Sequence, residues 1–174
     1  MLLVGAAAVA LVSGSEGGAG REPGAPPPPP RAGRTASVPA VGISARPPLG
    51  WSASRSSRAL TMRSPGRAMA IAVVAPRGAT GSARLLRSAA SELRRRYRVE
   101  RAGPGDGQKL AGLPTSSIVV TARSRRTRVR LRVLVAAVQG RRRAWLVEVF
   151  FSAGAPTARL AEGQVALNSL RLRG

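Results

Sequence analysis

The chain has 174 residues, with 29 basic side chains against 7 acidic ones, for a formal net charge of +22. It contains no cysteine and no histidine, which excludes disulfides, thiolate metal sites, and the commonest general base and metal ligand. A charge of this size speaks of partners rather than fold, and it favours an anionic one.

The opening segment MLLVGAAAVALVSGS is an apolar run that ends in small residues. It falls short of the roughly 20 apolar residues that a spanning helix needs, and it matches the hydrophobic part of a secretory signal. Residues 1–15 are therefore expected to direct export, with cleavage at the small-x-small site Ser13-Gly14-Ser15. Ser15 stands where a lipobox would carry cysteine, so lipidation is not expected. Residues 16–37 are rich in Gly, Pro and Ala and include the run Pro26 to Pro30. That composition predicts a disordered, semi-rigid linker.

From residue 38 to 174 the composition turns globular. VGISA (41–45), a segment starting near Trp51, ALTMRS (59–64) and AMAIAVVAP (68–76) read as strands. Thr80 is the expected N-cap of a helix reaching about Tyr97. At 100° per residue, Leu86, Ala89, Ala90, Leu93 and Tyr97 share one face of it. Arg84, Arg87, Arg94, Arg95 and Arg98 share the other. YRVER (97–101) leads into a short strand, 102–114 is a turn-rich loop, and SSIVVTARS (116–124) is a strand.

The stretch RVRLRVLVAAVQGRRRAWLVEVFF then reads as a hairpin. A loop of Gln139, Gly140 and Arg141 pairs Val129 with Phe151, Leu131 with Val149, Val133 with Val147, and Val135 with Trp145. This register gathers eight apolar side chains on one face and sets Arg132 against Glu148 on the other. PTARLAEGQVALNSL (156–170) predicts a helix with Leu160, Gln164 and Leu167 on one side, before a last strand at 169–172. The expected class is α+β: an antiparallel sheet with a central amphipathic helix and a C-terminal helix packed on it, behind a disordered N-terminal segment.

Catalytic chemistry finds little to work with. Lys109 lies in a glycine-rich loop near Ser116 and Ser117, where an exposed loop residue is the simpler reading than a Ser–Lys pair. Glu92, Glu100, Asp106, Glu148 and Glu162 show no spacing suited to acid/base work or oxygen-ligand metal binding. AGPGDGQK lacks the terminal GK[ST] of a phosphate loop. The expectation is no enzyme, no cofactor and no small-molecule substrate.

Arginine, in contrast, is arranged in clusters. Arg123, Arg125, Arg126, Arg128 and Arg130 gather at one end of the hairpin, and Arg141, Arg142 and Arg143 at the other. With Arg84, Arg87, Arg94 and Arg95 of the helix they form the candidate polyanion-binding set, since the planar guanidinium matches phosphate and carboxylate in a two-pronged fashion. The expected partner of a monomeric, exported or envelope-associated domain is a lipid headgroup surface, a wall polymer or an acidic protein. The alternative is a cytoplasmic protein that binds nucleic acid without sequence preference. Aromatic residues are 3% of the chain, too few for single-strand stacking platforms.

Three patterns carry a family resemblance. They are Gly50-Trp51 at the start of a strand, RSPGRAMAIAVVAP (63–76) ahead of a helix, and AWLVEVFF (144–151) leading to a closing helix and SLRL (169–172). Over about residues 38–174 the chain resembles the PsbP-like proteins, extrinsic photosystem II subunits and bacterial envelope lipoproteins. The resemblance implies an α+β sandwich that docks on other proteins or acts in the envelope without catalysis. It transfers no binding residues.

Overall fold

The computed structural model describes residues 30–78, 81–106 and 109–174. The apolar segment 1–15, the linker as far as residue 29, and Thr80 lie outside the described residues. In chain order the elements are β1 (Ala36–Val38), β2 (Ile43–Ala45), β3 (Ser52–Arg55), β4 (Ala59–Arg63), β5 (Met69–Val74) and α1 (Ser82–Arg96). There follow β6 (Tyr97–Pro104), β7 (Thr115–Ser124), β8 (Arg130–Gln139), β9 (Ala144–Ser152), α2 (Thr157–Asn168) and β10 (Arg171–Leu172). The class is α+β, with a seven-stranded antiparallel sheet ordered β3-β4-β5-β9-β8-β7-β6 and a small sheet ordered β1-β2-β10.

Strand alternation sorts side chains onto the two sheet faces. In β5, Met69, Ile71 and Val73 are buried, while Ala70, Ala72 and Val74 between them are half-buried. α1 packs on the latter face, over β6, β7, β8 and β9. It buries Ala89 and Leu93 against Val120, Ala122, Val133 and Val135, and Leu85, one turn earlier, against Ala137 and Ala144. Ala89 and Leu93 are buried as expected, and the buried stripe is rotated by about 60° toward Leu85. Leu86 and Ala90 are half-buried and turn toward the edge of the sheet. Gly81 stands at the N-cap, without a side-chain hydrogen bond.

The small sheet and α2 cover the other face, where Val38, Ile43, Leu60, Met62, Ile71, Val73, Trp145, Val147 and Leu170 form the larger core cluster. Of the expected face of α2, Leu167 packs against the core, Leu160 is half-buried and Gln164 points to solvent. The helix buries Gly163 and Ala166. Gly163 lies so close to Met69 that a Cβ there would overlap the thioether, so the glycine lets the helix approach the sheet.

The β8–β9 register also differs from expectation. The loop is four residues, Gly140–Arg143, closed by the Gly140 N–H on the Arg143 carbonyl at 2.9 Å. Val133 therefore faces Phe150, Ala136 faces Val147 and Val138 faces Trp145. Val133 and Val147 lie on opposite faces of the sheet, and Val129 is 46% exposed in the preceding turn. Both faces are covered here, so matching apolar residues could not select a register. Arg132 consequently faces Phe151, with its guanidinium 5.8 Å from the ring centroid, and not Glu148. Glu148 pairs with Val135 and Ala72 on the side of α1.

Candidate anion-binding face

The covering layers are offset from one another. α1 lies over β6 to β9 on one face, whereas β1, β2 and α2 reach β3, β4 and β5 on the other. Among the described residues, the face of β6, β7 and β8 turned away from α1 therefore has no element over it near the end where α1 finishes. Three arginines meet there. Arg98 pairs with Arg123 across β6–β7, and Arg123 pairs with Arg130 across β7–β8, so one row crosses three strands about 4.8 Å apart. Their neighbours Ala122 and Leu131 pack toward α1, which sends the arginines to the open side. The next row holds Arg101, Thr121 and Arg132.

Like charges directly opposite one another destabilise a sheet. A β-bulge between Val99 and Arg101 relieves this by adding Glu100 to the row. The Glu100 carboxylate accepts from Arg130 Nε at 2.8 Å and from Arg123 Nε at 3.4 Å. Partial burial pushes its pKa up, but the two guanidiniums outweigh that and hold it below the ordinary value. Arg98, Arg101 and Arg132 were not in the candidate polyanion-binding set, and Arg98, expected on the arginine face of the helix, lies instead in β6, because α1 ends at Arg96. Their alternation with apolar neighbours was visible, but their alignment rests on strand pairings that no local pattern encodes.

The β7–β8 turn extends the row at the same end. Arg125 donates to the Arg94 carbonyl at 3.4 Å, which ties the turn to the last turn of α1. Arg126 and Arg128 are exposed and, among the described residues, have no carboxylate within ion-pair distance. Arg128 adopts φ 61, in the left-handed region.

The remaining candidates lie elsewhere. Arg84, Arg87, Arg94 and Arg95 are exposed on the outer side of α1, where Glu92 pairs with Arg95 and Arg96 at 2.7 Å each. Arg141, Arg142 and Arg143 sit beyond the far end of β8, which spans 10 residues or roughly 33 Å. Arg143 is half-buried and donates to the Ala40 carbonyl at 3.2 Å, a fold contact. The candidate set thus divides into three groups: one at the arginine row, one on the helix and one at the far turn. A cleft of about 590 Å³ at the β4–β5 turn, lined by Ser52, Arg63 and Arg67, lies at the same end of the sheet as the row.

Among the described residues no hydrogen bond joins Lys109 to Ser116 or Ser117, and Ser117 donates instead to the Asp106 carbonyl. No group of three acids lies close enough to hold a metal ion there, and no helix among them is long and apolar enough to cross a membrane.

No protein-family model and no curated protein matches the chain. Among solved structures it is similar to a protein from Bacteroides thetaiotaomicron, with a TM-score of 0.55 and 12% identity over 82% of this chain. The match covers 49% of that protein, so the chain spans about half its length. It is also similar to the Saccharomyces cerevisiae Ran-binding protein Mog1p, with a TM-score of 0.51 and 8% identity over 82% of this chain and 96% of that one. Cyanobacterial PsbP from Synechocystis sp. PCC 6803 matches with a TM-score of 0.49 and 14% identity over 92% and 98% of the two chains. At such identities the likeness is one of fold. The chain shares its fold with Mog1p and the Bacteroides protein, and no family membership follows from it.

Proposed function

We propose that this chain is a non-enzymatic binding domain, exported or held at the cell envelope, whose arginine-rich end takes up anionic partners. The observation that carries the reading is the row Arg98–Arg123–Arg130 on an uncovered sheet face, continued by Arg125, Arg126 and Arg128. Among the described residues a single carboxylate, Glu100, offsets that row, so an anion from outside completes its neutralisation. Lipid headgroups, wall polymers and acidic proteins all present such charge. Polybasic attraction contributes about 1 kcal/mol per arginine at an anionic membrane. That Mog1p, of similar fold, is a Ran-binding protein supports a binding role.

The test is co-sedimentation with vesicles of phosphatidylglycerol and phosphatidylcholine, for the natural protein and for Arg125→Ser/Arg126→Ser/Arg128→Ser. The variant is expected to bind at least tenfold more weakly with an unchanged melting temperature. Equal binding overturns the role given to the turn. Location is tested separately, by adding protease to intact cells carrying a C-terminal tag and reading the mature N-terminus by mass. A protected tag with Met1 retained overturns export and turns the charge toward nucleic acid.

A further inference from the structure

The strand that carries Arg98 and Arg101 is also an edge. β6 ends the order of the large sheet, and β7 is its one ladder partner among the described residues. The Gly105 N–H donates to the Ser117 carbonyl at 2.9 Å, and the pairs run back through Gly103–Val119 to Arg101–Thr121. The alternation of an antiparallel ladder therefore turns the N–H and C=O of Ala102, and the C=O of Pro104, toward the open edge.

The two sides of this edge differ chemically. On the side of α1 runs an apolar groove of about 200 Å³, walled by Leu86, Ala90 and Leu93 and floored by Val99, Ala102 and Ile118. Arg87 and Arg94 stand at its rim. The volume is below the range of about 300–1,000 Å³ typical of small-molecule sites and suits one or two side chains. On the other side stand exposed Arg98 and Arg101, with Arg123 behind them. A strand laid along β6 would send alternate side chains to these two sides. Cationic edges resist pairing with strands at large, and the same charges favour an acidic one.

We propose that an extended acidic segment of a protein partner, with apolar residues at alternate positions, adds as a strand to the outer edge of β6. Its apolar side chains enter the groove beside α1, and its carboxylates meet Arg98 and Arg101. The inference rests on the anionic-partner reading above and names the partner class for that end of the domain.

The experiment uses fluorescence anisotropy with a labelled nonapeptide of alternating Asp and Leu. Its two comparisons are an isomer of the same composition with the leucines grouped together, and the alternating peptide N-methylated on the backbone at every second residue. The full chain is expected to bind the alternating peptide at least tenfold more tightly than either. Ala90→Trp, which fills the groove, is expected to weaken binding at least tenfold while leaving retention on a sulfonated column unchanged. The N-methylated peptide reads the same contact with the natural protein, whatever that substitution does to folding. Equal affinity for the three peptides, or no affinity with column retention intact, overturns edge docking and leaves the anionic-partner reading in place. Loss of both overturns the two together.

Discussion

The indole N–H of Trp145 donates to the carbonyl oxygen of Val41 at 2.9 Å, across 104 positions of the chain. Trp145 is fully buried on β9, and Val41 lies between β1 and β2, so one hydrogen bond locks the small sheet onto the large one. Trp145→Phe would leave that carbonyl without its donor and a void where the second ring stood. The expected loss is about 2–4 kcal/mol, read by thermal or urea unfolding. A loss below about 0.5 kcal/mol, the usual range for surface changes, would mean the two sheets hold together without this contact.

Gly42 makes a second prediction about the same junction. It adopts φ 66, its N–H donates to the Pro39 carbonyl at 3.0 Å, and its own carbonyl accepts from the Arg173 N–H at 2.9 Å. A Cβ there would run into the Arg173 carbonyl, so the chain end must shift and strain its hydrogen bond to Gly42. Gly42→Ala is expected to destabilise by about 3 kcal/mol, as strain and overlap add. Gly78→Ala is the control. Its φ is 62 but nothing lies within 4 Å of the added Cβ, so the cost should be about 1 kcal/mol from the backbone alone. Similar losses in the two variants would remove the close approach to Arg173 from the explanation.

The strands and α1 were legible because burial follows their periods. Met69, Ile71 and Val73 alternate with small residues, and Leu85, Ala89 and Leu93 recur at four-residue intervals. The β8–β9 register was not legible. Leu134 and Ala136 pack under the small sheet while Val133 and Val135 pack under α1, so apolar residues appear at both parities. The four-residue loop decides the register, and its closing bond from Gly140 to Arg143 leaves no apolar signature. β2 and β10 were legible as strands, but β1, which starts inside the expected linker, and the pairing of the three were not, and the arginine row needs β6 aligned on β7 across a bulge. Contacts of that range are set by packing, not by local pattern.

Arg128 gives a prediction in which stability and binding move in opposite directions. Its φ of 61 is a conformation that costs a non-glycine residue about 1–2 kcal/mol. The turn is closed by the Arg128 N–H on the Ser124 carbonyl at 3.0 Å and by the Ser124 N–H on the Val129 carbonyl at 2.9 Å. Arg128→Gly is expected to raise stability by about 0.5–1 kcal/mol, since glycine loses some of that gain to unfolded-state entropy. The same variant should elute earlier from a sulfonated column. A destabilised variant would show that the guanidinium contributes to the fold. A stabilised one with unchanged elution would show that its charge does not reach the partner.

The carboxylates predict opposing slopes of stability with pH. Glu148 is half-buried beneath α1, and burial raises its pKa. The nearby Arg96 offsets part of this and Glu92 adds to it. Its proton is therefore held more tightly in the folded chain than in the unfolded one. The stability it contributes is full below the ordinary glutamate value of about 4.3 and is lost as pH rises through the folded value. Glu100 behaves in reverse. Arg123 and Arg130 overcome the effect of burial and lower its pKa, so its contribution is present above the ordinary value and lost as pH falls through the folded one. Melting temperatures from pH 3 to pH 8 separate the two. Glu148→Gln should gain on the natural protein as pH rises and match it in acid. Glu100→Gln should fall behind at neutral pH and draw level in acid, where the natural carboxylate is itself neutral. Adding salt should narrow the Glu100 difference, because that pair is exposed and screened, and leave the Glu148 difference in place, because its origin is burial. A Glu148→Gln advantage that is constant across the range would mean the carboxyl sits in a wetter environment than its position beneath α1 implies.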